Sequence, residues 1–61
     1  MMATFTQGYV CAVAELVRLF DQPTMAEELL KAVGKVDWNT IDDFDYRPLH
    51  KAGLASRKAQ P

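Results

Sequence analysis

Between Thr6 and Asp21, polar and apolar positions sort onto two sides of a helix at about 100° per residue. Phe5, Tyr9, Ala12, Val13, Leu16, Val17, Leu19 and Phe20 fall on one side, with Val10 at its margin. Gln7, Gly8, Cys11, Ala14, Glu15, Arg18, Asp21 and Gln22 fall on the other. This predicts one long amphipathic helix. Thr4 with Gln7, or Thr6 alone, supplies the side-chain oxygen that satisfies free N–H groups at its start, and Pro23 opposes continuation at its end.

The next stretch, PTMAEELLKAVG, predicts a shorter second helix. Thr24 and Glu27 have the spacing of a capping box, and Gly34 is suited to the left-handed backbone conformation that ends a helix. Met25, Ala26, Leu29, Leu30, Ala32 and Val33 share one face, with Glu27, Glu28 and Lys31 opposite. So short a link makes the two helices a hairpin or a corner. Beyond Gly34 the pattern is weaker. Asp37 or Asn39 is placed to cap a turn running through Ile41 and Phe44. Asp45 is placed to cap another, YRPLHKAG, with Pro48 in its first turn and Gly53 as its stop. Residues 36–46 lack period-2 alternation and are rich in Asp and Asn, which argues against a strand. The predicted fold is all-α: a small helical hairpin, long helix then shorter helix, closed by one or two short C-terminal helical turns. The domain runs over 1–54, and 55–61 reads as a flexible basic tail.

Size sharpens this picture. A chain of 61 residues buries only about 60% of its unfolded surface and needs a staple. The single cysteine, Cys11, has no partner within the chain, and one Cys with one His, His50, is too few for a zinc site without carboxylates. Oligomerisation is the staple that remains. Charge is unevenly spread. Through Tyr46, three basic side chains stand against eight acidic ones, a balance of −5; from Arg47 onward there are four basic side chains and no acidic one, +4. There is no export signal pattern and no run approaching the ~20 apolar residues of a membrane span. The expected location is cytoplasmic, which suits a free thiol.

Catalysis is not expected. Cys11, His50 and several aspartates are present, but a short helical chain has little room for a pocket, and Arg18, the nearest cation to Cys11, is two turns away. No cofactor signature appears. Asp42, Asp43 and Asp45 lack the glycine and closing glutamate of a calcium loop, so no metal site is expected, and His50 reads as a solvent-facing or half-covered side chain.

Two binding surfaces are legible. DWNTIDDFDY, residues 37–46, sets Asp37, Asp42, Asp43 and Asp45 among Trp38, Phe44 and Tyr46. Trp38, Ile41 and Phe44 are expected to close the bottom of the core while the aspartates point outward. Asp37, Trp38, Asp42, Asp43, Asp45 and Tyr46 then form a candidate partner-binding surface: aromatic anchors in an acidic rim that suits a basic or nucleic-acid-binding surface on another protein. The second is a candidate homodimer surface on the polar side of the first helix. There Gly8, Cys11 and Ala14 are short enough for close helix approach, flanked by Glu15 and Arg18.

Two resemblances bear on function. TMAEELLKAVGKVDWNTIDDF resembles the helix-turn-helix family, which implies a small, dimeric DNA-binding protein. The would-be recognition helix, however, carries Asp42, Asp43 and Asp45, where phosphate contacts need positive charge. FTQGYVCAVAELVRLFDQPTMAEELLKAVG, residues 5–34, is similar in style to small accessory proteins of temperate phages and prophages. That likeness implies a bacterial host cytosol and a role through binding, as an inhibitor or adaptor of a host protein. The leading expectation is a non-enzymatic protein-binding module; direct DNA binding is the alternative.

Overall fold

A computed structural model describes residues 4–56. Among them are three α-helices, α1 (Phe5–Phe20), α2 (Pro23–Val33) and α3 (Asp43–Lys51), with a 3-10 turn at Trp38–Thr40 and no strand. The all-α expectation holds, with α1 the longest helix and the shorter ones following.

Helix α1 starts as its sequence predicts. The Thr4 hydroxyl accepts from the Gln7 N–H at 3.1 Å, and the Gln7 side-chain carbonyl accepts from the Thr4 N–H at 2.8 Å. It ends where Asp21 turns left-handed at φ 52, ψ 49, a conformation that Asp tolerates better than most residues. The N–H groups of Asp21 and Gln22 both donate to the Leu16 carbonyl. The chain thereby reverses within two residues and α2 opens directly on Pro23, whose missing N–H would have had no helical acceptor there. This overturns the Thr24–Glu27 capping box. Gln22 is the N-cap, without a side-chain hydrogen bond, and Thr24 already lies inside the first turn. At the other end Gly34 does not take the expected left-handed helical conformation but stands at φ 87, ψ −142, a region essentially reserved for glycine.

Helix α3 begins earlier than Asp45. Asp42 caps it, its Oδ1 accepting from the Phe44 N–H at 2.8 Å, so Asp45 falls in the first turn. Pro48 is consequently inside the helix rather than in its first turn, which removes the donor that would serve the Phe44 carbonyl. Closure follows the Schellman pattern: Gly53 at φ 78 donates to the His50 carbonyl at 3.0 Å, and Leu54 donates to the Leu49 carbonyl at 2.9 Å.

Both shorter helices pack on α1. Among the described residues the buried hydrophobic side chains are Val10, Val13, Ala14, Ala26, Ile41 and Leu49, with Leu49 the largest buried to below 2% exposure. The inner stripe of α1 is therefore rotated from the one periodicity selects. Ala14 is inside, while Phe5, Ala12, Leu19 and Phe20 are exposed. The reason is tertiary: α3 lies over the flank of α1 that the sequence marks as polar. The Gln7 amide donates to the Thr40 carbonyl at 2.9 Å on that flank, and the Arg18 guanidinium meets the Phe44 ring there. Ile41 closes the core as expected and Trp38 does so in part, but Phe44 remains 62% exposed. The packed body also runs past residue 54. Ala55 packs against the core, and the Tyr46 hydroxyl donates to the Ser56 carbonyl at 2.9 Å. Arg57 and Lys58, the rest of the expected basic tail, lie outside the described residues.

Candidate partner-binding site

The acidic–aromatic segment is built from two capping turns in series. Asp37 Oδ1 accepts from the Asn39 N–H at 3.1 Å, and its carbonyl accepts from the Thr40 N–H and hydroxyl at 3.1 and 2.8 Å. Asp42 does the same for α3, its carbonyl taking the Asp45 and Tyr46 N–H groups at 3.0 and 2.9 Å. Short polar side chains compete well for backbone donors in such turns. The local sequence thus fixes both carboxylates while leaving Asp37, Asp42 and Asp43 exposed.

The six residues expected at this surface divide into two groups. Asp37, Asp42 and Asp43 face outward, and Trp38 is half-buried beside them. Asp45 and Tyr46 are turned to structural work. Asp45, half-buried at the α1–α3 contact, acts on the Cys11 thiol, whose pKa its carboxylate helps to raise. Tyr46 stands between the Trp38 ring, met edge-on at 6.2 Å, and the His50 ring, stacked at 5.1 Å with planes 17° apart. His50 is accordingly exposed on one face and covered by Tyr46 on the other.

The thiol illustrates the electrostatics of this contact. Desolvation raises the Cys11 pKa first, and the Asp45 carboxylate raises it further by charge and by hydrogen bonding; Glu15 adds in the same sense, and Arg18 only partly opposes them. Cys11 is thus held as a neutral thiol, the reverse of an activated nucleophile. Among the described residues, no group of three or more His, Cys, Asp or Glu side chains is arranged to hold a metal ion.

The structure also shows a feature that sequence reasoning missed. An open groove of about 570 Å³ lies between the end of α2, the following link and the segment after α3. Leu30, Val36, Trp38 and Leu54 supply its apolar lining, and Lys31 and Lys35 also line it. No local signal announces it, because its walls come from stretches far apart in the chain. Trp38 belongs both to this groove and to the acidic segment.

The expected homodimer strip is not available as drawn. Ala14 is fully buried, Cys11 is half-covered, and Arg18 is engaged by Phe44 of α3 and by Glu15 at 3.9 Å. Gly8, Glu15 and Arg18 remain exposed, but the polar look of this flank concealed the packing site of α3, which covers its middle. The helix-turn-helix geometry is not formed either. Residues 34–42, including the 3-10 turn, separate α2 from α3, and Ile41 lies in that link rather than in a second helix. Among the described residues, no helix is long and apolar enough to cross a membrane.

Comparison with protein-family models, with curated proteins and with solved structures finds no match. The functional reading therefore rests on the geometry.

Proposed function

We propose that this chain is a non-enzymatic protein-binding module that presents its acidic–aromatic segment to a basic surface on another protein. The observation that carries the reading is the position of Trp38. Its half-exposed ring lines the 570 Å³ groove, while Asp37, its neighbour in the chain, and Asp42 and Asp43 at the start of α3 hold exposed carboxylates. An aromatic anchor beside fixed negative charge provides both binding energy and steering. The style of residues 5–34 supports placing this activity in a bacterial cytosol, as an inhibitor or adaptor of a host protein.

The test must respect the second role of Asp42. A lysine there would remove the α3 cap, whereas Asn keeps the accepting oxygen and caps about as well. Affinity capture from a bacterial lysate, with and without nuclease, is therefore compared between the wild type and the Asp42→Asn/Asp43→Lys variant. The expected result is a protein that survives nuclease and is lost with the variant, while circular dichroism is unchanged. A partner that the variant still captures would refute the acidic segment. Recovery of nucleic acid, or of proteins only while nucleic acid is intact, would favour direct DNA binding instead.

A further inference from the structure

Helices α1 and α2 bury one side and leave another apolar side uncovered. On α1 this outer stripe is Phe5, Tyr9, Ala12, Leu16 and Leu19, the alternating four-and-three spacing of a coiled-coil seam, with Phe5, Ala12 and Leu19 exposed and Tyr9 and Leu16 half-buried against the core. On α2 it is Met25, Leu29 and Ala32, with the same spacing. The exposures are large: Phe5 78%, Leu19 60%, Met25 55% and Leu29 38%, with Phe20 at the hairpin turn at 64%. The Tyr9 hydroxyl donates to the Leu29 carbonyl at 2.8 Å, so the two stripes meet edge to edge. No charged side chain interrupts either stripe. A contiguous apolar patch of several hundred Å² is often functional.

We propose that this face is the seam of a homodimer, in which two α1–α2 hairpins pack face to face as a four-helix bundle. Three observations select a second copy as the occupant. The first is area. At ~150–200 Å² per large apolar side chain, the five exposed residues present roughly 500 Å² on one protomer. The alanines and the open parts of Tyr9 and Leu16 extend this toward the ~800 Å² per partner of a stable interface. The second is symmetry. An uncharged stripe with seam spacing on both helices is self-complementary across a two-fold axis, as an isologous interface requires. The third is need. Among the described residues the core contains six buried side chains, none aromatic. The lone Cys11 forms no disulfide within the chain, and no metal cluster exists among the described residues.

The dimer leaves the acidic segment free. Helix α3 lies over the Ala14–Arg18 flank of α1, away from the outer stripe, so the assembly carries two copies of the Trp38 groove and its aspartates.

Light scattering and sedimentation of the full chain provide the test. The wild type is expected at twice the 6.9 kDa chain mass, with a thermal midpoint that rises with protein concentration, as a linked dimer must show. Leu19→Glu with Met25→Glu is expected to weaken association by at least about 100-fold, because each seam would bury unpaired charge. The milder pair Leu19→Asn and Met25→Gln guards against loss of the fold, and is expected to weaken association while circular dichroism stays native. Asp43→Lys, which alters the proposed partner surface, is expected to leave the mass unchanged, so the two proposals fail separately. A wild type that stays monomeric as concentration rises, with a constant midpoint, would overturn the dimer. A dimer that survives both seam variants would place the interface elsewhere.

Discussion

The guanidinium carbon of Arg18 lies 4.5 Å from the centre of the Phe44 ring. This contact joins the last turns of α1 to the first turn of α3 and explains why a phenylalanine 62% exposed is held in place. It also reassigns Arg18, whose ion pair with Glu15 is long at 3.9 Å and exposed, a kind that contributes little.

A double-mutant cycle on Arg18→Met and Phe44→Leu should give a coupling of about 0.5–1 kcal/mol, the usual worth of an exposed cation–π pair. Glu15→Gln should move the denaturation midpoint far less. Equal costs for Glu15→Gln and Phe44→Leu would mean that Arg18 serves the ion pair instead.

Cys11 gives a prediction at alkaline pH. Its pKa is raised in the folded protein by desolvation first and by the Asp45 carboxylate next, so folding favours the neutral thiol. The contribution is therefore fully present below the unfolded thiol pKa and is lost as pH rises through the higher folded value. Urea denaturation across this window should show a falling midpoint for the wild type and a flatter curve for Cys11→Ala. Asp45→Asn should speed alkylation of Cys11 at fixed pH, because it removes the charge that disfavours the thiolate. An alkylation rate that does not change would break the link between Asp45 and the thiol.

Two glycines should respond in opposite directions. Gly8 sits inside α1, and a Cβ built there meets nothing within 4 Å, so Gly8→Ala should stabilise by about 0.5–1 kcal/mol. Gly34 also has open space around it, but its φ of 87 and ψ of −142 belong to a region costly for any other residue. Gly34→Ala should destabilise by about 1–3 kcal/mol. Thermal melts of the two variants separate backbone conformation from packing, since space is equal at both sites. A stabilised Gly34→Ala would show that the α2 terminus relaxes at no cost.

Local chemistry made much of this protein legible in its sequence. Hydrophobic period set α1 and α2, Thr4 with Gln7 fixed the first helix start, and Gly34 and Gly53 marked two ends. These features depend on residues within one or two turns of each other. Competition between neighbouring signals was harder to read. Thr24 and Asp45 both look like caps, but α2 already opens on Pro23, whose fixed φ suits a first helical residue, and Asp42 caps α3 three residues before Asp45. Which flank of α1 would be covered lay beyond any local pattern. Ala14 and Cys11 look like surface beside Glu15 and Arg18, and Phe5 and Leu19 look like core. A 16-residue helix with two short neighbours can bury only part of a wide apolar arc. The link from Gly34 to Asp42 carries α3 onto the flank of small residues, where Ala14 lets Leu49 and Ile41 close in. The larger side chains are left outside. The sequence alone determined the helices and their inventory of apolar and acidic groups. Tertiary packing decided which of those groups became core, which remained exposed, and where the Trp38 groove would form.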